Sequence, residues 1–396
     1  MGSSVGQKPI GYLKMGSTKT ASLQQGAAVY VHFPFCRKRC SYCDFDSFTG
    51  LEGRIGPYLE AVVAQVEASP PVRASTLYVG GGTPSLMGAD QAARLVQACR
   101  DRFGLAHEAE TTLEANPSDL DRAKLEGYRA AGFNRLSVGV QSVDDGVLRL
   151  LGRRHSAEEA GRAIALAREV GFDRVSVDLI YGIPTQDSEL WRSTLETVVD
   201  WGVDHLSCYM LSVELGTPLE GAIERGELPA PFEDEAAAMY GQAVVLLAGA
   251  GFRRYEISNW ARAGRESAHN LFYWRNQPYL GIGAGAAGSW EGRRYKIQAD
   301  VPLYIRATQE GRLPLVEDES PDRRRDMSDT MILGLRLDEG VSRDVFLRRY
   351  GCLPEDVFGE ALAWGEGAGL LTREGDLLRL TEQGILLSNE LFERLL

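Results

Sequence analysis

The sequence predicts an α/β fold: a partial (β/α) barrel followed by a smaller, mainly helical C-terminal domain. Three observations carry this. From residue 28 onward, short β-branched runs alternate with amphipathic helical segments, which implies parallel strands with helices outside. The motifs that can carry chemistry follow such runs, as expected where a site sits at the carboxyl ends of barrel strands. The alternation then stops at a Pro- and acid-rich stretch, Leu313–Arg325, beyond which helical patterns and one hairpin remain.

The β runs are Val29–Phe33, Thr76–Val79, Thr111–Ala115, Arg135–Val138, Arg174–Leu179, His205–Leu211 and Arg254–Ile257. Between them, Gln91–Arg102, Asp119–Ala131, Ala157–Val170 and Glu189–Trp201 show helical spacing of apolar residues. After the break, helices are predicted near Asp326–Leu335, Ser342–Arg349 and Asp356–Gly367. LLTREGDLLRL over Leu370–Leu380 reads as a hairpin with a Glu-Gly-Asp turn, and Gln383–Leu395 as a closing helix. The expected division is a flexible leader over 1–27, a barrel with its extension over 28–312, and a C-terminal domain over 313–396. The leader is rich in Gly, Ser, Thr, Lys and Gln and lacks the apolar stretch of a secretory signal, and Met15 is an alternative start. Helices with a small hairpin resemble a winged-helix module. Such modules often bind DNA, but fold does not give function, and the acidic balance favours protein contact or a lid.

The chain has 396 residues, 44% of them hydrophobic, enough for one large core and a smaller one. Its net charge of −12 argues against a dedicated nucleic-acid binder. No apolar run is long enough to span a bilayer. Cys99, Cys208 and Cys352 are scattered, without a disulfide-like framework, and read as small buried hydrophobes. Together these features point to a reducing cytoplasm.

Cys36, Cys40 and Cys43 are different. They sit at C-x3-C-x2-C in VYVHFPFCRKRCSYCDF. Thiolates suit zinc or iron–sulfur clusters. A closed zinc site wants four ligands, and no fourth Cys or His stands beside the trio. Three thiolates can instead hold three corners of a cubane 4Fe–4S cluster and leave one iron open. A partial zinc site and three unrelated core thiols are the bland alternatives. Arg37, Lys38 and Arg39 lie between the first two cysteines; they read as a solvated loop, with a role in offsetting cluster charge as the sharper reading.

Gly80-Gly81-Gly82-Thr83-Pro84 follows the run LYV. Glycines let backbone approach a ligand closely, against the plain reading of a tight turn. Glu114 in TTLEANP, Gln141 in SVGVQS, Arg153 in LLGRR and Asp178 in SVDLIYGIP stand at strand ends or just beyond, and converge on one cleft if the strands form one barrel. Gly283–Gly288 formally fits G-x-G-x-x-G. It lacks a suitable preceding strand, a following helix and a spaced acid, so a dinucleotide site is rejected in favour of close backbone packing.

The cysteine spacing, with Tyr42 before the third cysteine, closely resembles the radical S-adenosylmethionine (SAM) enzymes. The resemblance implies a 4Fe–4S cluster on Cys36, Cys40 and Cys43 whose open iron binds the amino and carboxylate groups of SAM. It implies that Gly81, Gly82 and Thr83 contact the methionine part. Positions matching Glu114, Gln141, Arg153 and Asp178 bind the ribose hydroxyls, carboxylate and adenosine part, and Tyr30 and Ser212 match further cofactor contacts. HFPFC, GGGTP, LEANP, GVQS and DLIYGIP together point to the subgroup of oxygen-independent coproporphyrinogen III oxidase and its relatives. The oxidase carries a fourth cysteine two residues after the third, where this chain has Phe45. The chain looks instead like the haem chaperone branch, HemW, whose H-N-x-x-Y-W motif matches SAHNLFYW and makes His269 the candidate haem ligand. Related sequences often have a histidine where Ala287 or its neighbours stand. The implied cofactors are a 4Fe–4S cluster, SAM and haem. The implied partners are haem, client haemoproteins including any at a membrane surface, and a reduced electron donor. A radical SAM enzyme acting on a porphyrin is the rival reading, and a structural iron–sulfur protein the third.

Overall fold

The structure, a computed structural model, describes residues 11–14 and 26–396. Strand β1 (Gly11–Lys14) precedes six strands that lie side by side in chain order: β2 (Gly26–Phe33), β3 (Arg73–Gly81), β4 (Glu110–Ala115), β5 (Arg135–Gln141), β6 (Arg174–Tyr181) and β7 (His205–Met210). All neighbouring pairs from β2 to β7 are parallel. The helices Ile55–Ala68, Ala89–Phe103, Arg122–Ala131, Ala157–Glu169 and Ser188–Asp200 fall between them. Local chemistry sets these helix ends. Asp121, Ser156 and Asp187 accept from the backbone N–H three residues on, and Gly104 and Gly132 close helices at φ +56 and +107.

Side-chain parity explains why the sheet curls around a site rather than a dry core. Leu77 and Val79, Leu136 and Val138, Val175 and Val177, and Leu206 and Cys208 are buried in the main hydrophobic core. The alternate positions are largely polar: Tyr78, Glu110, Thr112, Glu114, Arg135, Ser137, Ser176, Asp178, His205 and Ser207. Successive strand residues face opposite sides, so one parity packs on the helices and the other fills a polar interior.

The sheet continues beyond the barrel strands. β8 (Arg253–Glu256) and β9 (Asn259–Ala261) form an antiparallel edge on β7. On the other side β10 (Tyr279–Ile282) runs parallel to β2. β11 (Ala287–Trp290), β12 (Arg293–Ile297) and β13 (Arg312–Glu319) follow as an antiparallel meander. The C-terminal unit carries the helices Arg323–Leu335, Arg343–Tyr350, Pro354–Gly367 and Ser388–Leu395. A small sheet of β14 (Val341–Ser342), β15 (Leu371–Glu374) and β16 (Leu377–Leu380) completes it, around its own core of Met331, Leu335, Phe346, Leu362 and Leu391. Among the described residues, no helix is long and apolar enough to cross a membrane.

Several expectations are corrected. Gly11–Lys14, read as part of a flexible leader, pairs with β13, and Gly26 and Ala27 begin β2; the rest of that leader, Met15 included, lies outside the described residues. The boundary at 313 falls inside β13, because alternating Leu313 and Leu315 hold this acidic stretch in the large sheet. The run Arg254–Ile257 belongs to an antiparallel edge, not to the parallel series. The closing helix breaks at Leu387 (φ −111, ψ 25). A strand, β10, does precede the Gly283 segment, but another strand and no helix follows it. Close backbone packing holds there: a Cβ on Gly281 would lie 1.9 Å from the Ala287 carbonyl oxygen.

Candidate functional site

The six parallel strands point their carboxyl ends at one cavity of about 410 Å³. The irregular loop after β2 forms its wall. Backbone bonds from Cys36 N to Phe48 O (2.9 Å) and from Phe48 N to Pro34 O (2.8 Å) close the base of this loop. Ser41 ties its middle to the segment after β5, through N to Leu151 O (3.1 Å) and Oγ to Leu150 O (2.8 Å). The loop therefore presents Cys36, Cys40 and Cys43 to the cavity as free, partly buried thiols.

Each thiol has a distinct surrounding. Cys36 Sγ lies 3.3 Å from Thr83 Oγ1. The Arg153 guanidinium donates to Cys40 Sγ at 3.3 Å and to the Gly139 carbonyl at 2.5 Å. Burial pushes the Cys43 thiol up, and Cys40 and Cys36 nearby add to that. Thiols so close together resist ionising unless a cation sits among them. Among the described residues, no three His, Cys, Asp or Glu are arranged to hold a single metal ion. The thiols of a cubane each take a different iron and need not meet at one point, so the donor set fits a cluster better than a mononuclear site.

Arg153 is the hinge between this loop and the cavity. Burial opposes its charge, yet Tyr42 and Cys40 beside it hold its pKa above the ordinary value. Its Nε is buried without a partner among the described residues. A buried unpaired donor is costly, and an anionic ligand atom would satisfy it. Tyr42 packs beside the cluster of Val147, Leu151, Ile180 and Leu211, and burial raises its phenol.

Two carboxylates stand across from it. Glu114 accepts from the Tyr78 hydroxyl (2.7 Å) and the Gly81 N–H (3.0 Å). Burial nonetheless pushes its carboxyl up to about 7, with Asp178 adding to the shift. Burial also raises Asp178, against hydrogen bonds from Ser207 and Ser137. Two buried acids in one cavity resist ionising together. A ligand with hydroxyls or a positive centre would suit this wall.

The glycine turn serves the fold as well as the cavity. A Cβ on Gly82 would lie 2.6 Å from the Phe35 carbonyl oxygen, and Gly81, at φ +111, abuts the His32 ring. Gly82 N and Thr83 N donate to the Phe33 and Phe35 carbonyls, both at 2.8 Å. Gln141 adopts φ +70 at an irregularity in the β5–β6 pairing, a strained conformation for a residue other than glycine. That strain sits on the cavity wall. Ser212 reaches the cavity edge, where its hydroxyl donates to Glu214 at 2.5 Å.

Two predicted contacts fall elsewhere. Tyr30 does not line the cavity. His32 Nε2 donates to the Asp46 carbonyl, so its Nδ1 accepts from Tyr30 at 2.9 Å. His269 is fully buried below the site, with Nδ1 2.8 Å from the Thr76 hydroxyl and Nε2 2.8 Å from the Tyr273 hydroxyl. Burial pushes its imidazole down to about 3. In this conformation neither ring nitrogen of the candidate haem ligand His269 is free. Its short helix, Ala268–Trp274, seals the amino ends of the strands instead. The His269 N–H donates to Glu110 (3.0 Å), which also pairs with buried Arg135 (3.4 Å).

Sequence reasoning missed Tyr78, Arg135, Ser137, Ser176, His205 and Ser207, all lining the cavity. Their signal was present. In RLSVGVQ, SVDLI and HLSCY the polar residues recur at every second position, the period of a strand with one polar face.

Comparisons with known proteins agree with this geometry. Residues 30–198 match the family model of the radical SAM superfamily, and residues 322–387 that of the HemN C-terminal domain. "Heme chaperone HemW" of Lactococcus lactis is 33% identical, covering 94% of this chain and 98% of that protein. The Mycobacterium tuberculosis protein of the same name is 39% identical over 94% of this chain and 95% of its own. The mouse "Radical S-adenosyl methionine domain-containing protein 1, mitochondrial" is 37% identical over 99% of this chain and 90% of its own. Among solved structures, the coproporphyrinogen III oxidase HemN of Escherichia coli superposes with a TM-score of 0.82 at 24% identity, covering 94% of this chain and 91% of that one. It shares the fold.

Proposed function

This chain belongs to the HemW family of the radical SAM superfamily, and we propose that it is a haem chaperone that binds haem and passes it to client haemoproteins. One observation carries this reading: near full-length similarity to proteins named heme chaperone. Phe45, where the oxidase carries a further cysteine, supports it, since a phenyl ring can neither donate a proton nor act as a thiol.

Cys36, Cys40 and Cys43 would hold a 4Fe–4S cluster, which supplies an open iron and one electron when bound. The chain's own groups do the rest. The Arg153 guanidinium braces Cys40 and offers its spare Nε–H to a carboxylate. Glu114 and Asp178 would take the hydroxyls and positive centre of SAM, and Gly81 and Gly82 let it lie close to backbone. A reduced electron donor, a cytoplasmic location and clients at a membrane surface belong to the same proposal.

The test is anaerobic. Reduced, cluster-loaded protein receives SAM with either haem or coproporphyrinogen III. Haem should shift its Soret band, and coproporphyrinogen should be recovered unchanged. Sustained decarboxylation would replace the chaperone reading with that of a porphyrin-modifying enzyme.

A further inference from the structure

Large apolar side chains are exposed where the cavity opens. Phe45, Tyr209 and Met210 line its mouth at 64, 43 and 56% exposure. Leu215, 88% exposed, follows the lining residue Glu214. Single exposed hydrophobics are ordinary, but a group of them around a cavity marks a binding face. The two loops that carry them are joined, since Leu219 N donates to the Ser41 carbonyl at 2.9 Å.

The same mouth is basic on an acidic protein. Arg37, Lys38, Arg39 and Arg154 line it against Asp44 and Glu214, whereas the whole chain carries −12. Arg37 and Arg154 are both engaged with Asp119. Arg39 donates Nε to the Cys43 carbonyl at 3.1 Å. Neither it nor Lys38 meets a carboxylate among the described residues.

We propose that this rim is the haem-docking face: the flat macrocycle lies on Phe45, Tyr209 and Met210, and Lys38 and Arg39 receive its propionates. The inference rests on the haem reading above. Haem is an apolar disc with two carboxylates, and the rim offers exposed apolar side chains with two cations in the same loop as Phe45 that meet no carboxylate among the described residues. The space also sorts the ligands. A cavity of about 410 Å³ lies near the small end of the roughly 300–1,000 Å³ typical of ligand pockets. That volume, rim included, is too small to enclose a tetrapyrrole beside a nucleoside-sized molecule, so a macrocycle would lie across the opening. His269, sealed beneath the strands, offers no competing contact.

Cluster-loaded full-length protein is titrated anaerobically with ferric haem, with Soret absorbance reporting affinity. Phe45→Ser with Met210→Ser should weaken binding about tenfold or more. Lys38→Glu with Arg39→Glu should weaken it about fivefold at low salt and less at high salt. Iron content and SAM affinity should match the parent protein in both, which separates a lost haem face from a disturbed cysteine loop. Unchanged haem affinity in both variants, with the parent binding haem, would overturn the docking face and leave the chaperone reading standing. A parent protein that takes up no haem would remove the chaperone reading itself. Variants that keep haem but lose self-association would make the rim a contact between copies, and so overturn the proposal.

Discussion

At the floor of the barrel, Arg135 lies between Glu110, the Ser176 hydroxyl and the carbonyls of Arg265 and Glu266. At the mouth, Arg153 reaches Cys40 and Gly139 and leaves Nε without a partner. Both line the same polar interior, Arg135 fully buried and Arg153 half-buried with its Nε out of solvent. The floor arginine bonds within the chain through both terminal nitrogens, and the mouth arginine leaves a buried Nε without a partner among the described residues. His205 stands between these cases, with Nε2 2.8 Å from the Tyr255 hydroxyl and Nδ1 unpartnered among the described residues. Polarity inside a fold therefore does not identify a site. What marks the mouth is a buried cationic donor, Arg153 Nε, left without a partner among the described residues.

The sharpest way to break this comparison is at the mouth. Replacing Cys36, Cys40 and Cys43 by Ala should remove nearly all iron and sulfide after anaerobic reconstitution. The fold should persist, because Val79, Val138, Val177 and their neighbours, not the loop, make the core. Iron analysis and far-UV circular dichroism read the two halves separately. Retained iron, or loss of the fold, would place the loop on the structural side of the comparison.

At the floor the expected effect is smaller and of another kind. His269→Ala leaves the Thr76 and Tyr273 hydroxyls facing each other across a void. A buried polar group without its partner costs about 1–3 kcal/mol, so denaturant unfolding should shift by a few kcal/mol while the haem Soret band stays. A folded His269→Ala protein with an altered haem spectrum would show that the helix Ala268–Trp274 opens to deliver the imidazole.

The contrast between the two ends also marks what the sequence could tell. Parallel strands and outer helices were legible because apolar periodicity switches cleanly between runs such as LYV and helices such as Ala157–Glu169. The cysteine loop and the strand-end polar residues were legible from position alone, and Glu114, Gln141, Arg153 and Asp178 do share one cavity. The depth of His269 and the place of Tyr30 outside the cavity lining were not legible, because a motif gives identity, not depth. Nothing in SAHNLFYW says that its helix would seal the strand ends with both imidazole nitrogens engaged. The β10–β13 extension was hidden for a related reason. Its first two strands, β10 and β11, are four residues long and each carries a glycine, and the segment is held by contacts far away in sequence, such as the Gln65 carboxamide oxygen accepting from Gly283 N at 2.9 Å.

A last test addresses the wall between the two ends. Glu114 is half-buried on the cavity wall, and desolvation there pushes its carboxyl up to about 7 from an ordinary 4.5. Between those values the folded state binds a proton that the unfolded state has released. By linkage, stability then falls as pH rises from about 4.5 through 7 and levels off above. Glu114→Gln removes the titration. Its amide oxygen can still accept from Gly81 N–H, and the Tyr78 hydroxyl can turn to accept from the amide. The variant should therefore gain stability relative to the parent at pH 8, with the difference fading toward pH 5. Urea unfolding of both proteins at several pH values measures this directly. A parallel pH dependence in the two would mean that Glu114 stays ionised, held by the Tyr78 hydroxyl and the Gly81 N–H.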